Sequence, residues 1–181
     1  METILYQYSF DALEYLLLHI PAVVGIAFIL FSVSNIEKKK DKESLKFLQH
    51  GKRSLPTALA VLFIIPGIIG ILLSGVTAYN FLCNHNTITE RIASDDVYVV
   101  EGYVENFHPM PAGGHDVEHF EINGVYFEYS DFTISNAYHK SLPYGGVITH
   151  NGQYLRIKYI TYTDVGGVMQ NHIVYISEVD K

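Results

Sequence analysis

Residues 109–119 read PMPAGGHDVEH and gather the side chains most able to do chemistry in this chain. His115 and His119 stand four apart, with Asp116 and Glu118 between them. On a helix, two histidines at that spacing share a face and can bind zinc. The setting is wrong for a helix, because Pro109, Pro111, Gly113 and Gly114 precede and apolar/polar alternation follows. In a strand four residues span roughly 13 Å, so the two imidazoles cannot both reach one ion at about 2 Å.

The dipeptide Asn123 and Gly124, flanked by apolar residues, is a strong hairpin signal. A two-residue turn there sets Ile122 against Val125, Phe120 against Phe127, His119 against Glu128 and Glu118 opposite Tyr129. One face then carries Phe120, Ile122, Val125, Phe127 and Tyr129 as core. The other carries His119, Glu121, Tyr126 and Glu128 toward solvent. Glu118 falls on the core side, where a carboxylate needs partners, and N–H groups of the glycine loop can supply them. Glu118 and His115 are thus expected to pin the loop to the β domain. The binding candidates are His115, Glu118 and His119, joined by Tyr138 and Tyr144 as part of an aromatic face.

Seven of the nine histidines follow residue 84, so a metal site assembled from separate loops is the alternative, with His108, His115 and His139 as its candidate ligands. No spacing demands it, and no cofactor is expected. Ser130 in YSD (129–131) lacks the Gly-x-Ser-x-Gly context of a nucleophile elbow. Asp131 reads as a strand terminator. No nucleophile–base pair stands out, and the chain is not expected to be an enzyme.

The elements that must position these residues follow residue 97. Strands are expected over 97–107, 117–131, 153–163 and 171–179, with the third stretch preceded by a less regular connection through Gly145 and Gly146. The second of these is a hairpin, so the element order is that of an OB-like five-stranded barrel. After residue 84, thirteen carboxylates face five cationic side chains, a balance that repels phosphate backbones and argues against nucleic acid.

The ordered set VENF (104–107), PMP (109–111), GH (114–115), EHF (118–120), YSD (129–131), GG (145–146) and LRIKY (155–159) resembles a β domain recurring in uncharacterised bacterial membrane proteins. The resemblance covers residues 100–178 and implies a bacterial origin and a small β domain, with no assigned activity. The chain departs from that pattern after Ser130 and Asp131, where Ala137, Tyr138 and His139 replace a Gly-Phe-Asn run.

Ahead of the β region lie two apolar blocks, residues 13–35 and 56–82. Each exceeds the roughly 20 residues that cross a bilayer core of about 30 Å. The start of the chain holds Glu2, Asp11 and Glu14 and no basic residue, unlike a cleavable signal. Lys38, Lys39, Lys40, Lys42, Lys46, Lys52 and Arg53 fill the intervening loop, 36–55. The positive-inside rule makes that loop cytoplasmic and puts both termini outside. The expected organisation is a helical membrane anchor (1–83), a polar stalk (84–96) and an extracytoplasmic β domain (97–181). The fold class is two transmembrane α-helices followed by a small all-β domain. The expected setting is the bacterial inner membrane, and the partners are the lipid bilayer and a protein, either different or a second copy. Cys83 is expected to be a buried small residue, and Pro66 with Gly67 to kink the second span. Gly70 and Ser74 form a small-xxx-small pair suited to helix contact.

Overall fold

The computed structural model describes residues 1–44, 61–133, 135–163 and 167–179, with the side chains of 38–44 outside the description. The chain divides into two compact units, one formed by Met1–Phe10 with Asn84–Lys181 and the other by Asp11–Cys83. The two helices Ala12–Glu37 and Ile64–Ala93 are long and apolar enough to cross a membrane. Only 17% and 22% of their apolar windows are buried, so their apolar faces are not packed as a soluble helical core would pack them.

In the helical unit, α1 (Ala12–Leu17) starts at Asp11, whose carboxylate accepts the Glu14 N–H at 2.9 Å. A turn at Leu18 and His19 separates it from α2 (Ile20–Ser44), which carries Pro21 in its first turn. The second apolar helix, α3, spans Ile64–Ala93. Residues 61 and 62 are helical, Phe63 is a turn and α3 restarts at Ile64, so the second span is interrupted just ahead of Pro66, which has no N–H for the Leu62 carbonyl. The small residues do make the helix contact. A Cβ on Gly25 would collide with the Gly67 carbonyl oxygen, and one on Gly70 would stand 2.6 Å from that of Pro21. Buried Ser74 donates its hydroxyl to the Leu18 carbonyl at 2.8 Å. Cys83 is exposed rather than buried. Of the basic topology residues, Lys38, Lys39, Lys40 and Lys42 fall on α2 with their side chains undescribed. Lys46, Lys52 and Arg53 lie outside the described residues, as do positions 56–60 of the second block.

The β unit holds β1 (Glu2–Gln7), β2 (Tyr98–Tyr103), β3 (Glu105–His108), β4 (Glu118–Ile122), β5 (Val125–Tyr129), β6 (Tyr154–Thr163) and β7 (Met169–Val179). They form two antiparallel sheets, ordered β1-β7-β6-β2 and β3-β4-β5. This corrects the five-stranded barrel, since seven strands are described and the two sheets do not close on one another. Carboxamide side chains bridge the sheets instead: Asn123 donates to the Glu101 carbonyl at 2.8 Å and Asn171 to that of Tyr126 at 2.9 Å. The expected strand 97–107 is two strands in different sheets. Val104 between them is buried, exchanging backbone hydrogen bonds with Gln153 and Gly152. The main core gathers Phe120, Ile122, Phe127, Ile148, Leu155, Ile157 and Ile176, all fully buried. Residues 84–93, read from the sequence as stalk, are helical. Ile88 packs there with Ile160 and Val174, and Arg91 donates to the Thr161 carbonyl at 3.2 Å. The N-terminal tail is likewise not loose, because β1 pairs with β7 along its length.

A transverse charge row fastens β1. Arg156 on β6 donates to Glu101 on β2 at 2.7 Å and to Glu2 on β1 at 3.1 Å, while Ser177 on β7 donates to Glu2 at 2.7 Å. The Ser177 hydroxyl, helped by Arg156, holds the Glu2 carboxyl below its usual value of 4.5, and Arg156 does the same to Glu101. Folded values below the unfolded ones mean stabilisation that is present above 4.5 and lost as pH falls through the lowered values. These groups are exposed, so the effect is modest and screened by salt. Amide exchange of residues 3–7 is therefore expected to quicken below pH 4.5 relative to β6, with Arg156→Gln reducing that pH dependence and Ser177→Ala, which removes the main hold on Glu2, reducing it further. An unchanged pH dependence in Arg156→Gln would refute the assignment.

Candidate functional site

The Asn-Gly turn folds β4 onto β5 in the register that the two-residue loop requires. The pairs are Ile122 with Val125, Phe120 with Phe127, His119 with Glu128 and Glu118 with Tyr129. Both turn residues have positive φ, 49° at Asn123 and 78° at Gly124, as a type I′ turn demands. Glu118 is thereby carried inward and is 0% exposed.

Three donors converge on it. The Tyr129 hydroxyl donates to Oε1 at 2.7 Å, while the N–H groups of Leu142 and Met110 donate to Oε2 at 2.8 and 3.3 Å. Burial pushes the Tyr129 phenol well up, with Tyr138 and then Glu118 adding to it, so the hydroxyl keeps its proton and remains a donor. The donors come from different loops: Met110 from the β3–β4 connection and Leu142 from the start of a one-turn 3-10 helix, Leu142–Tyr144. The glycine loop was the right neighbourhood, but Met110, not a glycine, presents the N–H. A second carboxylate locks the same turn, as Asp131 accepts from both the backbone N–H and the hydroxyl of Ser141. Ser130, buried, donates to the Met110 sulfur at 3.7 Å and accepts the Phe132 N–H at 3.3 Å. YSD is therefore a loop lock, with its serine engaged by neighbours rather than by a base.

What the locks hold outward is aromatic. Phe132 is 68% exposed and Tyr144 49% exposed, and their rings meet edge to face with centroids 6.2 Å apart. Phe132 also lies across Gly114, where φ is +72° and a Cβ would stand 2.8 Å from the ring. Only glycine fits both the backbone and the space. Tyr144 thus lies on an exposed face. Tyr138 does not: it is core, its ring against Tyr6 and Tyr129 and its hydroxyl accepting the Val147 N–H at 2.7 Å. Phe132 was missed, because a single phenylalanine after a Ser-Asp turn carries no periodic signal.

The histidines separate. His115 is exposed with φ at 69°. His119 stacks on His108 across the β3–β4 pair, ring centroids 4.7 Å apart, and its Nδ1 is buried without a hydrogen-bond partner. Asp116 accepts from His108 at 3.0 Å, which with the Val117 N–H holds its carboxyl below the usual range. His139 donates through Nδ1 to the Ala137 carbonyl at 2.9 Å. Among the described residues no three His, Cys, Asp or Glu side chains are grouped to hold a metal ion, so His108, His115 and His139 are not brought together.

Between β5, residues 133 and 135–139, and the start of β7 lies a cavity of about 110 Å³. Glu128, Thr133, Ser135, His139, Gln170 and His172 are among its lining residues. No family model, curated protein or solved structure matches this chain.

Proposed function

We propose that the chain is a membrane-anchored, non-catalytic binding module of the bacterial envelope. Two helices hold the β unit on the outer face of the inner membrane. One observation carries the reading: β1 pairs with β7 in a single sheet, although both apolar helices lie between them in sequence. Paired strands must share one side of a bilayer, so the chain between them crosses an even number of times. Two crossings satisfy that condition, and Ile64 to Cys83 spans about 30 Å of helix at about 1.5 Å per residue. The basic loop, 36–55, then selects the cytoplasmic side for the bend.

The binding role rests on Phe132 and Tyr144. Two carboxylate locks, buried Glu118 and half-buried Asp131, hold a pair of exposed aromatic rings, the residue type enriched where proteins meet proteins. The acidic balance disfavours nucleic acid as the partner. The test uses the full chain in cells. Alkaline phosphatase, active only outside the cytoplasm, is expected to work when fused at Lys181 and to fail when inserted at residue 46. Cytoplasmic fluorescence of a reporter at Lys181 would overturn the placement. A photo-crosslinking residue in place of Tyr144 is expected to give one discrete adduct that Phe132→Ser abolishes. No adduct, or one indifferent to Phe132, would overturn the binding face, and the adduct's mass tells a second copy from a different protein.

A further inference from the structure

We propose that the outer face of the three-stranded sheet β3-β4-β5 docks a basic segment of another protein. Neither Phe132 nor Tyr144 belongs to that sheet, so this face extends binding beyond the aromatic pair described above.

Strand alternation places the side chains. In β4, Glu118, Phe120 and Ile122 are buried, which turns His119 and Glu121 outward. In β5, Phe127 and Tyr129 are buried, which turns Tyr126 and Glu128 outward. Direct cross-strand partners share a face. The pairs are His119 with Glu128, Glu121 with Tyr126, Glu105 with Glu121 and His108 with His119. Rings then form a ladder across the three strands. His108 stacks on His119 with centroids 4.7 Å apart, and His119 meets Tyr126 at 5.7 Å. Carboxylates stand at both ends, where Tyr126 donates to Glu128 Oε2 at 2.8 Å and Asp116 accepts from His108 at 3.0 Å.

The charge here is one-sided. Residues 105–129 hold five carboxylates and no Lys or Arg, and of the five only Glu118 is turned into the core. Arg91, Arg156 and Lys158 are engaged elsewhere, with Asp96, with Glu101 and Glu2, and over the Tyr175 ring. Among the described residues no Lys or Arg pairs with Glu105, Glu121 or Glu128. Glu105 and Glu121 moreover stand directly opposite each other, and like charges so placed destabilise a sheet. A cationic partner relieves that cost. Tyr126 registers the same crowding: burial, then the hydrogen bond and charge of Glu128 and the charge of Glu121, push its phenol up to about 12.

These features select the occupant. Carboxylates set among rings suit guanidinium and ammonium groups, which pair with the first and lie against the second. Phosphate backbones and anionic lipid are repelled. A second copy would bring the same acidic surface. No three His, Cys, Asp or Glu side chains are grouped for a metal ion among the described residues. Charge complementarity therefore points to a polypeptide rich in Arg or Lys.

The experiment uses the full chain in nanodiscs of zwitterionic lipid at about pH 8, where free imidazole is neutral. The probe is a capped octapeptide alternating arginine and serine. Saturable binding is expected, weakening as salt rises. Combining Glu105→Gln, Glu121→Gln and Glu128→Gln is expected to weaken it about tenfold. The matched control combines Glu90→Gln, Asp95→Asn and Glu178→Gln, which removes equal charge from exposed positions off this sheet, and is expected to leave affinity unchanged. Glu105→Gln alone is expected to raise the unfolding temperature while lowering affinity, a combination that a purely structural carboxylate would not give. Equal weakening in the control set would reduce the effect to net charge and overturn the assignment. So would a lower unfolding temperature in Glu105→Gln, an absence of saturable binding, or tighter binding of spermine than of the peptide, which would give the face to small polyamines. The topology and crosslinking outcomes are unaffected by any of these.

Discussion

Glu118→Ala is expected to destabilise the β unit by about 3–5 kcal/mol. The substitution leaves three donors facing a void: the buried Tyr129 hydroxyl and Met110 N–H and the half-buried Leu142 N–H. Each orphaned donor costs about 1–3 kcal/mol, and relaxation of the loops recovers part of the sum. Domains of this size have roughly 5–15 kcal/mol in all, so one side chain decides a large share. Glu118→Gln separates hydrogen bonding from charge. Its amide oxygen can take the place of Oε2 and accept both N–H groups, while its NH₂ faces Tyr129, whose hydroxyl can turn to accept. Gln is therefore expected to cost less than half as much as Ala. Tyr129→Phe, which removes a single donor, is expected to cost about 1 kcal/mol. Chemical denaturation of the full chain gives the totals. Amide exchange at Met110 and Leu142 shows whether the loss is local, as the two-loop lock requires. Equal costs for Gln and Ala would show that charge, not donor satisfaction, holds the loops. The functional consequence follows from Phe132 and Tyr144. Both sit on the connection that Glu118 and Asp131 lock, so the crosslink at Tyr144 is expected to fade in Glu118→Ala even where the fold survives.

The inward position of Glu118 was legible because a two-residue turn leaves no freedom in register, and period-two alternation then assigns every side chain a face. Its donors were not legible. Leu142 lies 24 residues away and Met110 reaches back across a loop containing two prolines, so no local pattern links them to the carboxylate. The same limit explains Tyr138 and His119. Tyr138 sits in an irregular connection, and long-range partners draw it inward: the Ile173 carbonyl accepts its N–H at 2.9 Å and the Val147 N–H donates to its hydroxyl. His119 meets His108 through a register shift between Glu105 and His108, where Asn106 takes φ of 53°, a bulge that alternation cannot show. The two apolar helices were plain, since composition alone carries that signal. The strand at Glu2–Gln7 was hidden for the opposite reason. Its ladder partner is the last strand of the chain, and a six-residue run beside an apolar block reads as a flank. Recognising it changes the topology argument, because it binds the start of the chain to the same side as its end.

In the helical unit the corresponding sensitivity is Gly67. Gly67→Leu is expected to force α2 and α3 apart. A Cβ at that position meets the Gly25 carbonyl oxygen and the Ile29 side chain, each at 2.7 Å. Ile29 can change rotamer, but the carbonyl is backbone and cannot move unless the helix does. Without a hydrophobic drive between helices in lipid, close packing of small residues is the main attraction, so separation forfeits most of it. Ser74 then loses the Leu18 carbonyl as well, a bond worth about 0.6–2 kcal/mol in a bilayer. Gly75→Leu is the matched control: it adds the same side chain to α3, but nothing stands within 4 Å of its Cβ. Resistance of the nanodisc-embedded chain to unfolding by sodium dodecyl sulfate is expected to fall sharply for Gly67→Leu and to stay at the wild-type value for Gly75→Leu. Ser74→Ala is expected to fall between them. The ordering is the discriminating feature, because a general intolerance of bulk in an apolar helix would lower Gly75→Leu as far as Gly67→Leu. If the two variants matched, the glycine contact would not be what joins the helices, and the proposed two-span anchor would need another source of cohesion.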